Sequence, residues 1–119
     1  MTLIKSISGI RGTIGGKHGD NLTPLDAINF GCAYGQWISE KNPKRKNKVV
    51  IGRDARISGS MIQNLVQNSL ISKGIDVIDL DLSTTPTVEL MIKKYKANRG
   101  IIITASHNPT EWNALKLLD

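Results

Sequence analysis

The sequence predicts an α/β domain with a mixed, mostly parallel sheet sandwiched between helices. Short apolar runs of strand length occur at "VVIG" (49–52), "IDVIDLDL" (75–82) and "GIIITA" (100–105). Helix-length segments opening on Thr-Pro or Ser-Gly separate them. Strand and helix then alternate regularly, the pattern that lays parallel strands between helix layers. At 119 residues the chain is one domain, residues 1–119, long enough to bury a substantial core.

Residues 3–14 are short, apolar and glycine-punctuated, and read as an extended strand followed by a loop, with "GGKHGDNL" (15–22) as a turn. "TPLDAINFGCAYGQWISEK" opens with Thr23 in the N-cap position and Pro24 at the first helical residue. Its apolar stripe is expected along Leu25, Ile28, Cys32 and Gln36 or Trp37. The basic loop "KNPKRKNK" leads to the 49–52 strand. "SGSMIQNLVQNSLISKG" is a second helix, with Met61, Ile62, Leu65, Val66 and Leu70 on one face and Gly74 as C-terminal cap. A third helix starts around Thr85-Pro86, and "ALKLLD" (114–119) is expected as a final edge strand. The chain stops at Asp119 directly after it, so the domain is expected to be truncated at its C-terminus, a fragment of a longer multidomain protein.

The formal charge of +6 predicts anionic company: phosphorylated small molecules, nucleic acid or an acidic membrane surface. A single cysteine, Cys32, excludes an intramolecular disulfide and fits a reducing cytoplasm. The start "MTLIKSISGIRG" has no long apolar segment, and no run approaches the roughly 20 apolar residues that span a bilayer.

Four polar stretches carry the chemistry. Parallel strands place the loops after them on one edge of the sheet, where open α/β sheets build ligand sites. "GRDAR" (52–56) follows the second strand and "TASHNP" (104–109) the fourth; "SGIRG" (8–12) and "WNALK" (112–116) are expected as loops beside them. They bring Arg11, Arg53, Arg56 and Lys116 near Ser106 and His107. Glycines beside an arginine let backbone N–H groups approach a ligand, and the guanidinium fork suits phosphate oxygens. The combination describes a phosphate site around a hydroxyl. An adjacent Ser-His pair is a poor acyl-transfer couple, because neighbouring side chains of an extended loop diverge. Taken alone, Arg53-Asp54-Ala55-Arg56 is better read as a surface salt-bridge cluster, and Arg11 between glycines fits a plain turn as well as a ligand site.

"TASHNP", preceded by "SGIRG" and "GRDAR" and followed by "WNALK", resembles the first domain of the α-D-phosphohexomutases, a superfamily that includes phosphoglucomutase/phosphomannomutase and phosphoglucosamine mutase. The resemblance covers nearly the whole chain. It implies that Ser106 is the phosphoserine that donates its phosphoryl group to a sugar monophosphate. The resulting 1,6-bisphosphate then turns over and returns its other phosphate, moving phosphate between C1 and C6. It further implies that Arg11 holds phosphate, and that His107 and Lys116 act around the transferring group, Lys116 as candidate general acid/base. Asn108 would shape the loop, Arg53 and Asp54 would brace it, and Ser8 would join them as a phosphate-binding residue. The metal implied is Mg²⁺, bound to Ser106 through its phosphate, with aspartates supplied by a domain absent from these residues. Asp79 and Asp81 read as structural. The family usually has glycine where this chain has Ala114, which would strain the backbone if that position needs a positive φ.

The implied partners are hexose phosphate, hexose 1,6-bisphosphate and the remaining domains of the same enzyme, with no nucleic acid, no membrane and self-association of the fragment through an uncovered sheet face. The fragment alone is expected to be inactive as a mutase. "TASHNP" leans toward glucose or mannose over glucosamine phosphates. Two other readings compete: a non-catalytic sugar-phosphate-binding fragment, and a basic polyanion-binding module using "PKRKNK". The second leaves Ser106 unexplained and lacks the aromatics on which RNA bases stack.

Overall fold

The computed structural model describes residues 4–6, 9–15, 21–44, 46–104 and 112–118, with 4–6, 9–11, 13 and 112 described by their backbone alone. The elements are β1 (Ile4–Ser6), β2 (Gly9–Thr13), α1 (Pro24–Lys41), β3 (Lys48–Arg53), α2 (Gly59–Ser72), β4 (Asp76–Leu82), α3 (Thr85–Lys94), β5 (Arg99–Ile103) and β6 (Trp112–Leu118). They form an α/β/α domain around one mixed six-stranded sheet of order β1-β2-β6-β5-β3-β4. Parallel pairing joins β3 to β4 and to β5, where helices make the connections. The pairs β1–β2, β2–β6 and β5–β6 are antiparallel. The last strand is therefore interior, where the sequence placed it at an edge. The reason is that the start of the chain folds as a hairpin whose second strand pairs outside β6.

Both faces of β3 are covered, so Val49, Val50 and Ile51 are all buried, the continuous apolar run expected of a central parallel strand. Val49, Ile51, Ile101, Ile103 and Leu115 pack with Ala27, Tyr34, Ile38, Ile62, Val66 and Leu70 beneath α1 and α2. Val50 and Ile102 pack on the other face with Val88 and Ile92 of α3.

Helix α1 starts as expected. Thr23 accepts from the Asp26 N–H, and Asp26 accepts from the Thr23 N–H at 3.0 Å and its hydroxyl at 2.7 Å. Its buried face is not the expected one. Leu25 and Ile28 are 48% and 37% exposed, whereas Ala27, Gly31, Tyr34, Gly35 and Ile38 face inward. On α2 the expected face holds for Ile62, Val66 and Leu70, which are buried, and Leu65, which packs on the core; Met61 is exposed and Ser69 is buried in addition. The helices meet through small residues, which a search for large apolar side chains passes over.

Both later helices end in Schellman turns. After α2, Gly74 at φ +79° donates to Ile71 O and Ile75 to Leu70 O. After α3, Lys96 at φ +53° takes the same place, donating to Lys93 O while Ala97 donates to Ile92 O. A lysine is strained there by about 1 kcal/mol. Lys96→Gly is accordingly expected to raise stability by about 1 kcal/mol, and Gly74→Ala to lower it by a similar amount. Urea unfolding of the pair checks the opposite signs.

The phenol of Tyr34 is buried with no hydrogen-bond partner among the described residues. Burial pushes its pKa up to about 12, only partly opposed by the Arg99 charge. The unfolded chain ionises this group near 10, so the folded state keeps the proton over the interval between. Stability from this source is complete below pH 10 and falls as pH rises toward 12, by on the order of 2 kcal/mol. Tyr34→Phe should remove that part of the alkaline slope. At neutral pH it should match or exceed the parent by about 1 kcal/mol, since it deletes an unsatisfied hydroxyl. Denaturation at pH 7 and pH 11 tests both statements.

Candidate active site

Strands β3 and β5 run in parallel, so Arg53 and Ile103 finish on the same edge of the sheet. Beyond Arg53 the ladder continues for one bond, as the Asp54 N–H donates to Ile103 O at 3.1 Å. The Asp54 carboxylate is then fully engaged. Oδ1 accepts from the Arg56 N–H at 3.1 Å, and Oδ2 accepts from Arg56 Nε at 3.1 Å and from the Thr104 hydroxyl at 2.6 Å.

Thr104 is the last described residue before the segment 105–111, and its own N–H donates to Ala114 O at 3.0 Å. The segment returns to the sheet at Trp112. One residue later, buried Asn113 donates from Nδ2 to Ser58 Oγ at 2.9 Å, while its Oδ1 accepts the Ala114 N–H at 2.9 Å. Ser58 occupies the N-cap position of α2, yet its side chain makes no capping bond there. The β3–α2 connection thus grips both feet of the 105–111 segment, one through Asp54 and Thr104, the other through Ser58 and Asn113. Charge-assisted and buried bonds of this kind hold a loop's ends in one geometry.

Arg53 lies on the same edge but makes its described ion pair elsewhere, from Nη2 to Asp81 Oδ1 at 2.6 Å. A bulge presents that carboxylate: Ile51 pairs with Asp79 and Gly52 with Asp81, leaving Leu80 extra. Asp79 holds the bulge by accepting the Asp81 N–H at 2.7 Å, with Asp81 at φ +59°. Asp79 thus shapes the bulge and Asp81 carries the ion pair to Arg53.

The remaining site candidates fall as follows. Ser8, Ser106, His107 and Asn108 lie outside the described residues. "SGIRG" and "WNALK" were expected as loops, but Gly9–Thr13 and Trp112–Leu118 are strands. Antiparallel pairing of β2 with β6 uses the backbone groups that a loop would have offered to a ligand. Arg11 has its Cα opposite Ala114, level with Thr104. Lys116 is half-buried, two positions further into the sheet, opposite Gly9 and Ile102. Ala114 is an ordinary buried strand residue with no positive φ, so alanine there carries no strain. Thr104, Ser58 and Asn113 were not singled out individually. A polar Asn113 beside the apolar run of β6 was the available signal.

Among the described residues no three His, Cys, Asp or Glu side chains group to hold a metal ion. The Asp54 carboxylate, at the edge where β3 and β5 end, accepts from Arg56 and Thr104. The described residues therefore form no cation cage. No helix among them is long and apolar enough to cross a membrane.

The fold is an α/β/α domain in which the β3–α2 connection bonds to Thr104 and Asn113, and comparison with known proteins gives the family. The model of phosphoglucomutase/phosphomannomutase, alpha/beta/alpha domain I, matches residues 3–119, and the chain belongs to that family. A phosphoglucomutase/phosphomannomutase of Thermococcus kodakarensis is 39% identical over 110 residues, covering 91% of this chain and 24% of its own length. A phosphoglucosamine mutase of Alkaliphilus metalliredigens is 40% identical over 111 residues, covering 93% and 23%. A solved phosphoglucomutase/phosphomannomutase family protein of Burkholderia thailandensis superposes with TM-score 0.74 at 25% identity, over 93% of this chain and 24% of that one. The chain spans about a quarter of the length of the curated relatives it matches.

Proposed function

We propose that this chain is the phosphoryl-carrying domain of a phosphohexomutase, which moves phosphate between C1 and C6 of a hexose or hexosamine phosphate. The observation that carries the reading is the grip of the β3–α2 connection on both feet of segment 105–111, which contains Ser106. Phosphoryl transfer asks mainly for positioning and charge neutralisation, and a loop fixed at both ends supplies the first.

In the proposed cycle, phosphorylated Ser106 meets a hexose monophosphate. The free sugar hydroxyl attacks the serine phosphate in line, its P–O bond forming as the Ser106 Oγ–P bond breaks. A base, for which Lys116 or His107 is the candidate, removes the hydroxyl proton, and Ser106 Oγ takes one up. The 1,6-bisphosphate then reorients, and Ser106 attacks its other phosphate in the reverse sense. Arg11, with Ser8, Arg53 and Asn108 around it, would hold phosphate oxygens through the cycle. Mg²⁺ would sit on the Ser106 phosphate and take its other ligands from outside this chain, neutralising charge when bound. Hexose phosphate, hexose 1,6-bisphosphate and further domains are the proposed partners, and the cytoplasm the proposed compartment.

Intact mass and peptide mapping of the polypeptide as the cell makes it test this directly. One phosphoryl group on Ser106, chased off by hexose monophosphate and absent from Ser106→Ala, is the expected result. A Ser106 that stays unmodified after exposure to the bisphosphate would overturn it in favour of binding without transfer. The 119-residue chain alone is expected to show no mutase turnover.

A further inference from the structure

We infer that the outer surface of the α1–α2 pair is the docking face for a second copy of this protein, the two copies being related by a two-fold axis. The first observation is a gap in the charge pattern. Charged residues make up 22% of the chain, yet residues 24–39 hold one, Asp26, and residues 59–72 hold none. Asp26 is buried in the cap of α1. The solvent side of these two helices therefore carries no charge until Glu40, Lys41 and Lys73 at its far end. The helix on the other face of the sheet is the opposite: α3 has Glu89, Lys93 and Lys94 within 10 residues.

Apolar side chains stand where charges would be expected. Leu25, Ile28 and Met61 are exposed, and Cys32 and Leu65 are half-buried. A Cβ at Gly31 would meet Ser69 and one at Gly35 would meet Lys73, so the helices run side by side in the same direction. One turn back in that register, Leu25 and Ile28 fall beside Met61 and Leu65. Ile57 lies at the same end, just before the Ser58 cap of α2. From that position an apolar residue commonly folds back on the helix, here at Ile62. Ile57 is instead fully exposed, and Ile62 is fully buried without it. The apolar surface is continuous along one end of the helix pair, the kind of patch that marks an interface.

Charge selects the occupant. Two chains of net charge +6 repel, so copies can meet closely only over a neutral surface, and this helix pair supplies one. A polyanion would be drawn to basic stretches elsewhere, and a charged protein partner would need opposite charges here to complement its own. The exposed polar groups point the same way: Asn29, Gln36, Asn64 and Asn68 all end in amides. An amide both donates and accepts, so it can pair with its own symmetry mate. An isologous interface asks for that self-complementarity, which apolar side chains also satisfy and charged ones do not. The face is helical, distinct from the sheet face through which the sequence suggested self-association.

This inference rests on the helix surface and is independent of transfer at Ser106. Sedimentation velocity of the polypeptide as the cell makes it, over a range of concentrations, is expected to show monomer and dimer in equilibrium. Added salt should leave the dimer unchanged or tighten it, because it screens the repulsion between like-charged copies and breaks no ion pair in the contact. Ile28→Lys and Met61→Lys should each weaken dimerisation by about tenfold or more, since each would bury an ammonium in an apolar contact. Leu90→Lys, at an exposed position of α3, should leave it unchanged, as should Ser106→Ala. A protein that stays monomeric, a dimer that survives both lysine substitutions, or one that salt dissociates overturns the inference. So does a monomer that Ile28→Lys unfolds, since further chain of the same polypeptide is then what covers the face.

Discussion

Gly31→Leu is expected to destabilise the domain by about 3 kcal/mol or more, among the largest effects of any single substitution outside the loop. A Cβ at Gly31 would lie 2.8 Å from Ser69 Cβ and 3.2 Å from Val66 O. Neither neighbour is the end of a flexible side chain, so α1 and α2 would have to separate. Gly35 repeats the approach one turn on, where a Cβ would meet Lys73 Cβ at 3.0 Å. The milder Gly31→Ala decides the mechanism. An exposed helical glycine gains about 1 kcal/mol on becoming alanine, but here overpacking of roughly 1–3 kcal/mol opposes it. The expected net is a loss. Ser69→Gly removes one of the two clashing atoms, so the double variant should be more stable than the sum of the single changes predicts. Urea unfolding of the four proteins measures that coupling. If Gly31→Ala is stabilising, the close contact is not what holds the helices together.

The same contact explains what the sequence did and did not disclose. Helix starts were legible because their signals are local: Thr23 followed by Pro24 and Asp26 is a cap whatever the rest of the chain does. Central strands were legible as unbroken runs such as Val49–Ile51. The buried face of α1 was not, because hydrophobic size pointed to Leu25 and Ile28 while the approach of α2 selected Gly31 and Gly35. Strand order was equally hidden. Nothing within "ALKLLD" tells whether another strand will pair outside it, and that partner comes from the opposite end of the chain. The loop motifs were legible as residue types. Their clamp was not, since Ser58 and Asn113 are 55 positions apart and become informative only when hydrogen-bonded.

If Ser106 carries the phosphoryl group as proposed, Asp54→Ala is expected to slow its transfer by about a hundredfold, the cost of a displacement of roughly 1 Å in a reacting group. The substitution removes the acceptor for the Thr104 hydroxyl and for Arg56, whose side chain is only 10% exposed. A buried guanidinium losing its carboxylate, and a hydroxyl losing its acceptor, together cost on the order of 3 kcal/mol, so stability should fall as well. The rate effect must therefore be separated from unfolding. Thr104→Val deletes a single bond of the same foot and Asn113→Ala acts on the other, each with an expected loss nearer tenfold and a smaller stability change. In the intact enzyme the loss should appear in kcat more than in KM, because a misplaced serine phosphate leaves contacts to the rest of the sugar intact. Asp54→Asn refines the test: its carbonyl oxygen can still accept from Thr104, but its amide nitrogen would face a donor on Arg56. An intermediate rate is expected for it. If all of these variants unfold more easily yet transfer phosphate at the parent rate, the clamp is architecture alone and the loop is positioned by something else.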